Sequence, residues 1–397
     1  MSTPQQNIPR SGPAVEVEAR ALVARARSYA DSVVARSAAQ WEHDRQWPAE
    51  ALAGAAALGL NRIQVPADQG GYDLPYTVKL QVVEAFAYHD MAFSFAWVNA
   101  HNATARLARD GSPAQRERWL PGLLAGSSVG TVCLTEPGAG SDFPAIATRA
   151  RRDGEGWILD GEKAWATNAA GADHAVVYAQ TDPAAGRHGI AGFLVDLDAP
   201  GVTHRYVEPL VGGHAIGAGG FRLEGVELGA DALFYKPGEA FGRALASING
   251  ARTYVAAMCN AMLDSALRIA VGHARERQTF GSPLAERQGL RWMLADAATD
   301  LEASRLLTAR AAALIDAGED AVEAAAHAKK FGVRIAEHRL RECMQLLGAR
   351  GLRDSCPIGR HLVGARIANY VDGTTEMQNE RIAASLLRRL SGDGEAR

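Results

Sequence analysis

The stretch LTEPGAGSD, residues 134–142, divides the chain into two textures. Upstream of it, apolar residues recur at helical spacing. Downstream come short β-rich runs separated by Gly, Pro and Asp. Gly138 and Gly140 stand one residue apart with the Thr135 and Ser141 hydroxyls nearby. Such a pattern lets backbone N–H groups approach a phosphate or the edge of a ring. No Gly-Lys-Ser/Thr follows, so this is not a Walker loop, and Phe143 stands where a Rossmann fingerprint would carry its third glycine. Read alone, the stretch is equally a tight turn, because Pro and Gly are ordinary turn residues.

Working outward, residues 1–14 read as a polar, Pro-bearing, disordered tail, and residues 15–125 as an N-terminal α-helical domain. Leu22, Ala26, Tyr29 and Val33 form one apolar stripe. Pro48 followed by AEALAGAAALGL fits a helix opened near its first turn and closed by Gly59. Residues 76–107 form a long helical segment interrupted near His89-Asp90. It carries Phe86, Phe93, Phe95 and Trp97, which are either core packing or a pocket wall.

Residues 126–235 read as a small β barrel or sandwich. Trp157-Ile158-Leu159 and Lys163-Ala164-Trp165 flank Asp160-Gly161, which is expected to be a hairpin turn. Further strands are expected over 174–180, 189–195 and 221–228. From 236 to 397 the helical pattern returns, with Leu290, Leu294, Ala297, Leu301, Ser304 and Leu307 at i, i+3/i+4 spacing. That stripe needs other helices to cover it, so a bundle is expected. Helices, then β, then helices describes an α+β multidomain chain, not a doubly wound sheet.

Composition excludes several classes. The chain has 397 residues, 42 Lys+Arg, 45 Asp+Glu and a formal net charge of -3, with 47% hydrophobic and 22% charged residues. This is a globular composition with no basic excess for nucleic acid. Cys133, Cys259, Cys343 and Cys356 form no C-x-x-C pair, so they read as reduced core thiols with neither a disulfide scaffold nor a metal site. No uninterrupted apolar run reaches ~18 residues, and the first residues lack a basic start followed by an apolar core. A cytoplasmic protein with no membrane role is therefore expected.

Three more stretches carry chemistry. In Trp165-Ala166-Thr167 an indole and a hydroxyl two residues apart would project from one strand face, where a flat aromatic ligand could stack and accept a hydrogen bond. A buried barrel Trp fits the same residues. RERQTFG, residues 275–281, ends a helix before Pro283. Arg277 can hold a phosphate in a bidentate fork, or merely complement the helix dipole. In YVDGTTE, residues 370–376, Asp372 precedes Gly373 in a break between helices. A carboxylate there can serve as a base, and Asp-Gly equally suits a plain turn.

In this order and spacing, the four stretches resemble the acyl-CoA dehydrogenase family, from about residue 20 to residue 392. The likeness is strong in 134–142, in 163–167, in 275–281 with its continuation LAERQGLRWMLADAATDLEASRLL, and in 345–351 with 372–376. The resemblance implies an N-terminal helical domain, a central β domain and a C-terminal four-helix bundle. It also implies bound FAD and a homotetramer built as a dimer of dimers. By resemblance, Leu134, Thr135, Gly140, Ser141, Trp165 and Thr167 line the flavin. Arg277, Thr279, Phe280 and Gln345 reach a neighbouring subunit's FAD, and Thr374 and Glu376 contact the cofactor near the base. Ser141, Phe93, Phe95, Arg252 and Gly373 are the implied substrate contacts.

The implied reaction is α,β-dehydrogenation of an acyl-CoA or acyl-carrier-protein thioester, with an electron-transfer flavoprotein as acceptor. Asp372 is the implied base, and backbone N–H groups of its loop would hold the enolate oxygen. Phe93, Phe95 and Trp97 suggest a pocket restricted by aromatic bulk, hence a short or branched acyl group. The chain departs from the family pattern at several positions. Asp372 replaces the usual Glu, and Ala251, beside Arg252, leaves no alternative acid. Gly348-Ala349, Gly364 and Asn379 also differ from common members. An Asp base is similar to that of nitroalkane oxidase, so a flavin oxidase or monooxygenase is a second reading. A FAD-bound partner protein of low activity is a third.

Overall fold

The computed structural model describes residues 12–391. Residues 1–11 of the expected tail lie outside the described residues, and the first helix, α1 (Pro13–Tyr29), already takes in the tail's last two positions. Its proline sits where a missing N–H costs nothing. A π turn, Ala30–Val34, joins α1 to α2 (Ala35–His43). Then follow α3 (Ala49–Ala57), α4 (Tyr76–Ala87), α5 (Met91–Asp110) and α6 (Pro113–Ala125). The break between α4 and α5 has a simple cause. The Asp90 carboxylate accepts from Phe93 N–H at 2.8 Å and caps the new helix.

The central domain holds β1 (Gly130–Cys133), β2 (Arg149–Asp153), β3 (Gly156–Ala166), β4 (His174–Gln180), β5 (Ile190–Asp196), β6 (Val202–Val207), β7 (Gly219–Leu228) and β8 (Leu233–Tyr235). The sheet order is β6-β7-β3-β2-β4-β5-β8, with β1 parallel to β4. Every residue of β4 is buried.

The expected hairpin at Asp160-Gly161 is not there. β3 runs straight through it, and the actual turn joins β2 to β3 between Asp153 and Gly156, with Gly154 at φ 55°. Asp160-Gly161 is instead a bulge, where the β3–β7 register shifts. The Asp160 carboxylate accepts from Gly225 N–H at 2.7 Å. A Cβ at Gly161 would lie 2.5 Å from Thr148 Oγ1 and 2.6 Å from Thr148 Cα. The glycine serves both this close approach and a φ of 153°, which side-chain-bearing residues rarely adopt, and it makes no chain reversal.

The helical C-terminal part comprises α7 (Ala240–Glu276), a small hairpin of β9 (Gln278–Thr279) and β10 (Ser282–Pro283), then α8 (Gln288–Asp316), α9 (Val322–Leu347), α10 (Pro357–Tyr370) and α11 (Thr375–Leu390). On α8, Ala297, Leu301 and Ser304 of the expected stripe are buried. Leu290, Leu294 and Leu307 are half-buried. By length and composition α7 could cross a bilayer, but 72% of its apolar stretch is buried inside the protein. It is a core helix. One apolar core joins α1–α5 to the bundle, while the central sheet keeps a core of its own.

Gly161→Ala is expected to lower stability by about 1–3 kcal/mol through the forced contact with Thr148 and the strain of an alanine at φ 153°. Thermal unfolding of the purified variant measures it, and an unchanged midpoint would refute the close-packing explanation.

Candidate active site

A cavity of about 1570 Å³ lies where the three parts meet. It exceeds the roughly 300–1,000 Å³ of a single small-molecule pocket. Its walls come from α5, the 134–141 turn, the end of β3, the first half of α7 and the α10–α11 loop.

The 134–142 turn is anchored from behind. Glu136 N–H donates to Ala139 O at 2.9 Å and Ala139 N–H to Glu136 O at 3.1 Å, which closes the turn. The Glu136 carboxylate points inward. It accepts from Lys163 Nζ at 2.7 Å, from Ala147 N–H at 2.5 Å and from Thr148 N–H at 3.0 Å. The two side chains are 5% and 0% exposed. Burial pushes the Glu136 carboxyl up, but the Lys163 ammonium and the backbone donors outweigh it and hold it below the usual carboxylate range. No side chain crowds Gly138 or Gly140, where a Cβ would meet nothing within 4 Å.

Trp165 and Thr167 do not share a strand face as expected. Trp165 has φ 57°, and β3 ends at Ala166. The left-handed step turns the chain out of the sheet, and both residues still line the cavity. Trp165 remains 56% exposed there.

The loop between α10 and α11 carries two consecutive left-handed residues, Asp372 at φ 54° and Gly373 at φ 91°. Its carbonyls are held by side chains from neighbouring elements. Lys329 of α9, 1% exposed, donates Nζ to Val371 O and Gly373 O. Gln378 donates Nε2 to Gly373 O at 2.8 Å and Thr374 O at 3.2 Å. Arg252 Nε donates to Asp372 O at 3.4 Å. The Asp372 side chain stands on the cavity wall, and its Oδ2 has no hydrogen-bond partner. Burial raises the Asp372 carboxyl above the ordinary aspartate value, while the Lys329 and Arg252 charges oppose that rise.

Comparison with known proteins places this geometry. Acyl-CoA dehydrogenase N-terminal, middle and C-terminal domain profiles match residues 16–127, 131–226 and 238–387. The chain belongs to the acyl-CoA dehydrogenase family. It is 33% identical over 369 residues to the human mitochondrial short-chain specific acyl-CoA dehydrogenase, covering 92% of this chain and 89% of that one. The structure of butyryl-CoA dehydrogenase from Megasphaera elsdenii matches with a TM-score of 0.89 at 26% identity, covering 98% and 100% of the two chains. A probable acyl-CoA dehydrogenase from Mycobacterium abscessus matches at 0.88 and 30% identity, covering 93% and 98%. The chain is thus a flavoprotein oxidoreductase with the family's three-part fold.

The acyl-CoA dehydrogenase cavity fits a flavin. Its wall offers an indole, the hydroxyls of Thr135, Ser141 and Thr167, and the uncrowded edge at Gly140. Leu134, Thr135, Gly140, Ser141, Trp165, Thr167, Phe95, Arg252, Asp372, Gly373 and Thr374 all line it. Phe93 does not, which corrects its assignment as a substrate contact. Its ring is fully buried, stacked on Trp41 at 5.3 Å and edge-on to Phe86 at 5.0 Å. Trp97 likewise packs on Phe86, at 5.2 Å. Two residues along a helix means a rotation of about 200°, so Phe93 and Phe95 face opposite ways. Glu376 sits exposed on the first turn of α11, off this chain's own cavity wall.

Arg277, Thr279, Phe280 and Gln345 lie away from this chain's own cavity. Phe280 is fully exposed at the tip of the β9–β10 hairpin, and Gln345 is exposed on α9. Conversely, sequence reading missed Tyr76, Lys79, Asn99, Asn102, Arg106 and Tyr254 on the cavity wall. The available signal was the spacing Phe95, Asn99, Asn102, Arg106, a single stripe of α5.

Lys163→Met is expected to cost about 3–5 kcal/mol, because it leaves the Glu136 carboxylate buried without its cation. The 134–142 turn should loosen and release flavin. Denaturant unfolding, together with flavin absorbance per chain after gel filtration, checks both effects.

Proposed function

We propose that this chain catalyses α,β-dehydrogenation of an acyl thioester, with Asp372 as the base that removes the α proton. The observation that carries the reading is the Asp372 side chain on the cavity wall, its buried Oδ2 without a hydrogen-bond partner, in a loop whose carbonyls are all held by other residues. An α C–H beside a thioester is a weak acid. A carboxylate with a raised pKa is a better match for it. Backbone N–H groups of the 372–374 loop are the proposed donors to the enolate oxygen. A bound flavin supplies the acceptor for the β hydride.

Asp372 is one methylene shorter than the family's usual glutamate. A misplacement of 1 Å can cost roughly 100-fold in rate, so the clamped backbone of this loop matters more here than with a longer side chain. Phe95 lines the cavity, and the short-chain and butyryl relatives, both named for CoA thioesters, support a short acyl group on CoA; a carrier-protein thioester would present the same pantetheine arm. An electron-transfer flavoprotein is the proposed acceptor. Asn379, exposed on α11 away from the cavity, gives the oxidase reading no support.

The same reading includes assembly into a homotetramer, in which Arg277, Thr279, Phe280 and Gln345 complete a neighbour's flavin site. Phe280 is fully exposed, and Trp292, Leu306, Leu387 and Leu390 of the bundle are more than half exposed. Such apolar surface suits coverage by further copies.

The protein should be yellow and bleach anaerobically with an acyl thioester; bleaching only with a nitroalkane would overturn the reading. Asp372→Asn should retain flavin while flavin reduction slows by about 10²–10⁴-fold in stopped flow. Because the base must be ionised and burial raises its pKa, the acid limb of the reduction rate should lie above the ordinary aspartate value of 3.8. A limb at or below that value would show a solvated, unburied carboxyl. Phe280→Ser should lower flavin content per chain while each folded chain keeps its circular-dichroism spectrum; full retention of flavin would exclude the hairpin from a neighbour's site.

A further inference from the structure

We propose that Lys79 forms an anion subsite in the substrate cavity, receiving a carboxylate at the far end of the acyl group, so that the preferred substrate is an ω-carboxyacyl thioester. This rests on the dehydrogenation reading and names its substrate class.

Lys79 lies on α4, is 6% exposed, and lines the same cavity as Asp372. Its ammonium makes one hydrogen bond, to Asn102 Oδ1 at 3.1 Å, and stands 4.6 Å from the Tyr76 ring centroid. Among the described residues no carboxylate forms an ion pair with it. Asp316 is the acidic group nearest in influence, but its two oxygens are engaged by Tyr76 N–H at 2.5 Å and Thr77 N–H at 3.1 Å. The other cations of this end are differently placed. Arg106 donates to the Tyr178 hydroxyl at 3.3 Å, and Arg243 pairs with Asp110 at 3.2 Å. Arg109 is exposed and adds positive charge near Lys79.

A buried ammonium without a counter-charge costs several kcal/mol. Burial, with the Arg109 charge, pulls Lys79 down to about 7, and a bound carboxylate would restore the charged form. A hydrocarbon tail in this place would do the reverse, removing the last solvent and offering no acceptor. The position suits the role. Phe95 touches Tyr254 at 6.3 Å between centroids, and the Asp372 charge acts on Tyr254. Asn102 lies seven residues further along the same helix, about 10 Å. Along α5 the cavity wall thus runs from Phe95, beside Tyr254, to Asn102, which holds Lys79.

The test compares adipyl-CoA with hexanoyl-CoA, and suberyl-CoA with octanoyl-CoA, as reductants of the purified holoenzyme under anaerobic stopped flow. Each pair has equal acyl length and the same pantetheine arm. The carboxylated member should have the higher kcat/KM, by about 10–100-fold, the range of a charge-assisted hydrogen bond. Lys79→Met should collapse that ratio towards one, and Lys79→Arg should restore part of it. The proposal is overturned if the native protein prefers the uncarboxylated member. It is equally overturned if Lys79→Met lowers both members alike, because Lys79 then serves the shared arm or the packing. Calorimetric binding of the same pairs decides the point without turnover. Failure of every thioester to reduce the flavin would sink dehydrogenation while leaving the binding preference readable. If the variants do not fold, the native preference alone decides.

Discussion

The buried ammonium of Lys329 is the constraint on which the site depends. It reaches from α9 to the carbonyls of Val371 and Gly373, the two residues that flank Asp372. A left-handed aspartate followed by a left-handed glycine is a costly conformation, of order 1–3 kcal/mol. Two hydrogen bonds from a charged donor, each worth about 1.5–3 kcal/mol, are enough to hold it. Burial lowers Lys329 to about 8, and the Asp372 carboxylate works against that fall. The two groups thus support each other: the lysine shapes the loop, and the loop's carboxylate helps keep the lysine charged.

A second buried lysine does the corresponding work on the opposite wall. Lys163 ties Glu136 to β3, so the turn bearing Thr135, Gly140 and Ser141 and the strand end bearing Trp165 and Thr167 move as one body. α5 is the third wall and serves two purposes at once. Its Phe93 and Trp97 pack into the shared core with Phe86 and Trp41, while Phe95, Asn99, Asn102 and Arg106 face the cavity. Rigidity on one side and chemistry on the other follow from a single 3.6-residue period.

That period explains what was legible in the sequence and what was not. The change of texture around 134–142, the helix break at Asp90 and the stripe on α8 are local patterns, and the structure shows each of them. Asp160-Gly161 misled because one local chemistry serves two ends: a glycine admits a turn and also admits a bulge pressed against Thr148. Phe93 misled because α5 is buried nearly all round, so hydrophobicity gives no phase for telling the core face from the cavity face. Lys79 and Lys329 were invisible for a different reason. A lysine on a helix ordinarily reads as a solvated charge, and only the packing of α4 on α5, and of α9 under the α10–α11 loop, removes the water.

The buried lysines of the described chain, Lys79, Lys163 and Lys329, can be compared on equal terms. Lys163 has a carboxylate in direct contact, and Lys329 has two backbone carbonyls with a carboxylate nearby. Lys79 has an amide oxygen and the face of a tyrosine, with the Asp316 carboxylate nearby but engaged by the Tyr76 and Thr77 N–H groups. The same fold that neutralises two ammonium groups from within leaves the third facing the substrate cavity. Dispersion and a neutral acceptor do not offset the desolvation of a full charge. An anion carried by a molecule that enters the cavity is the partner proposed for it.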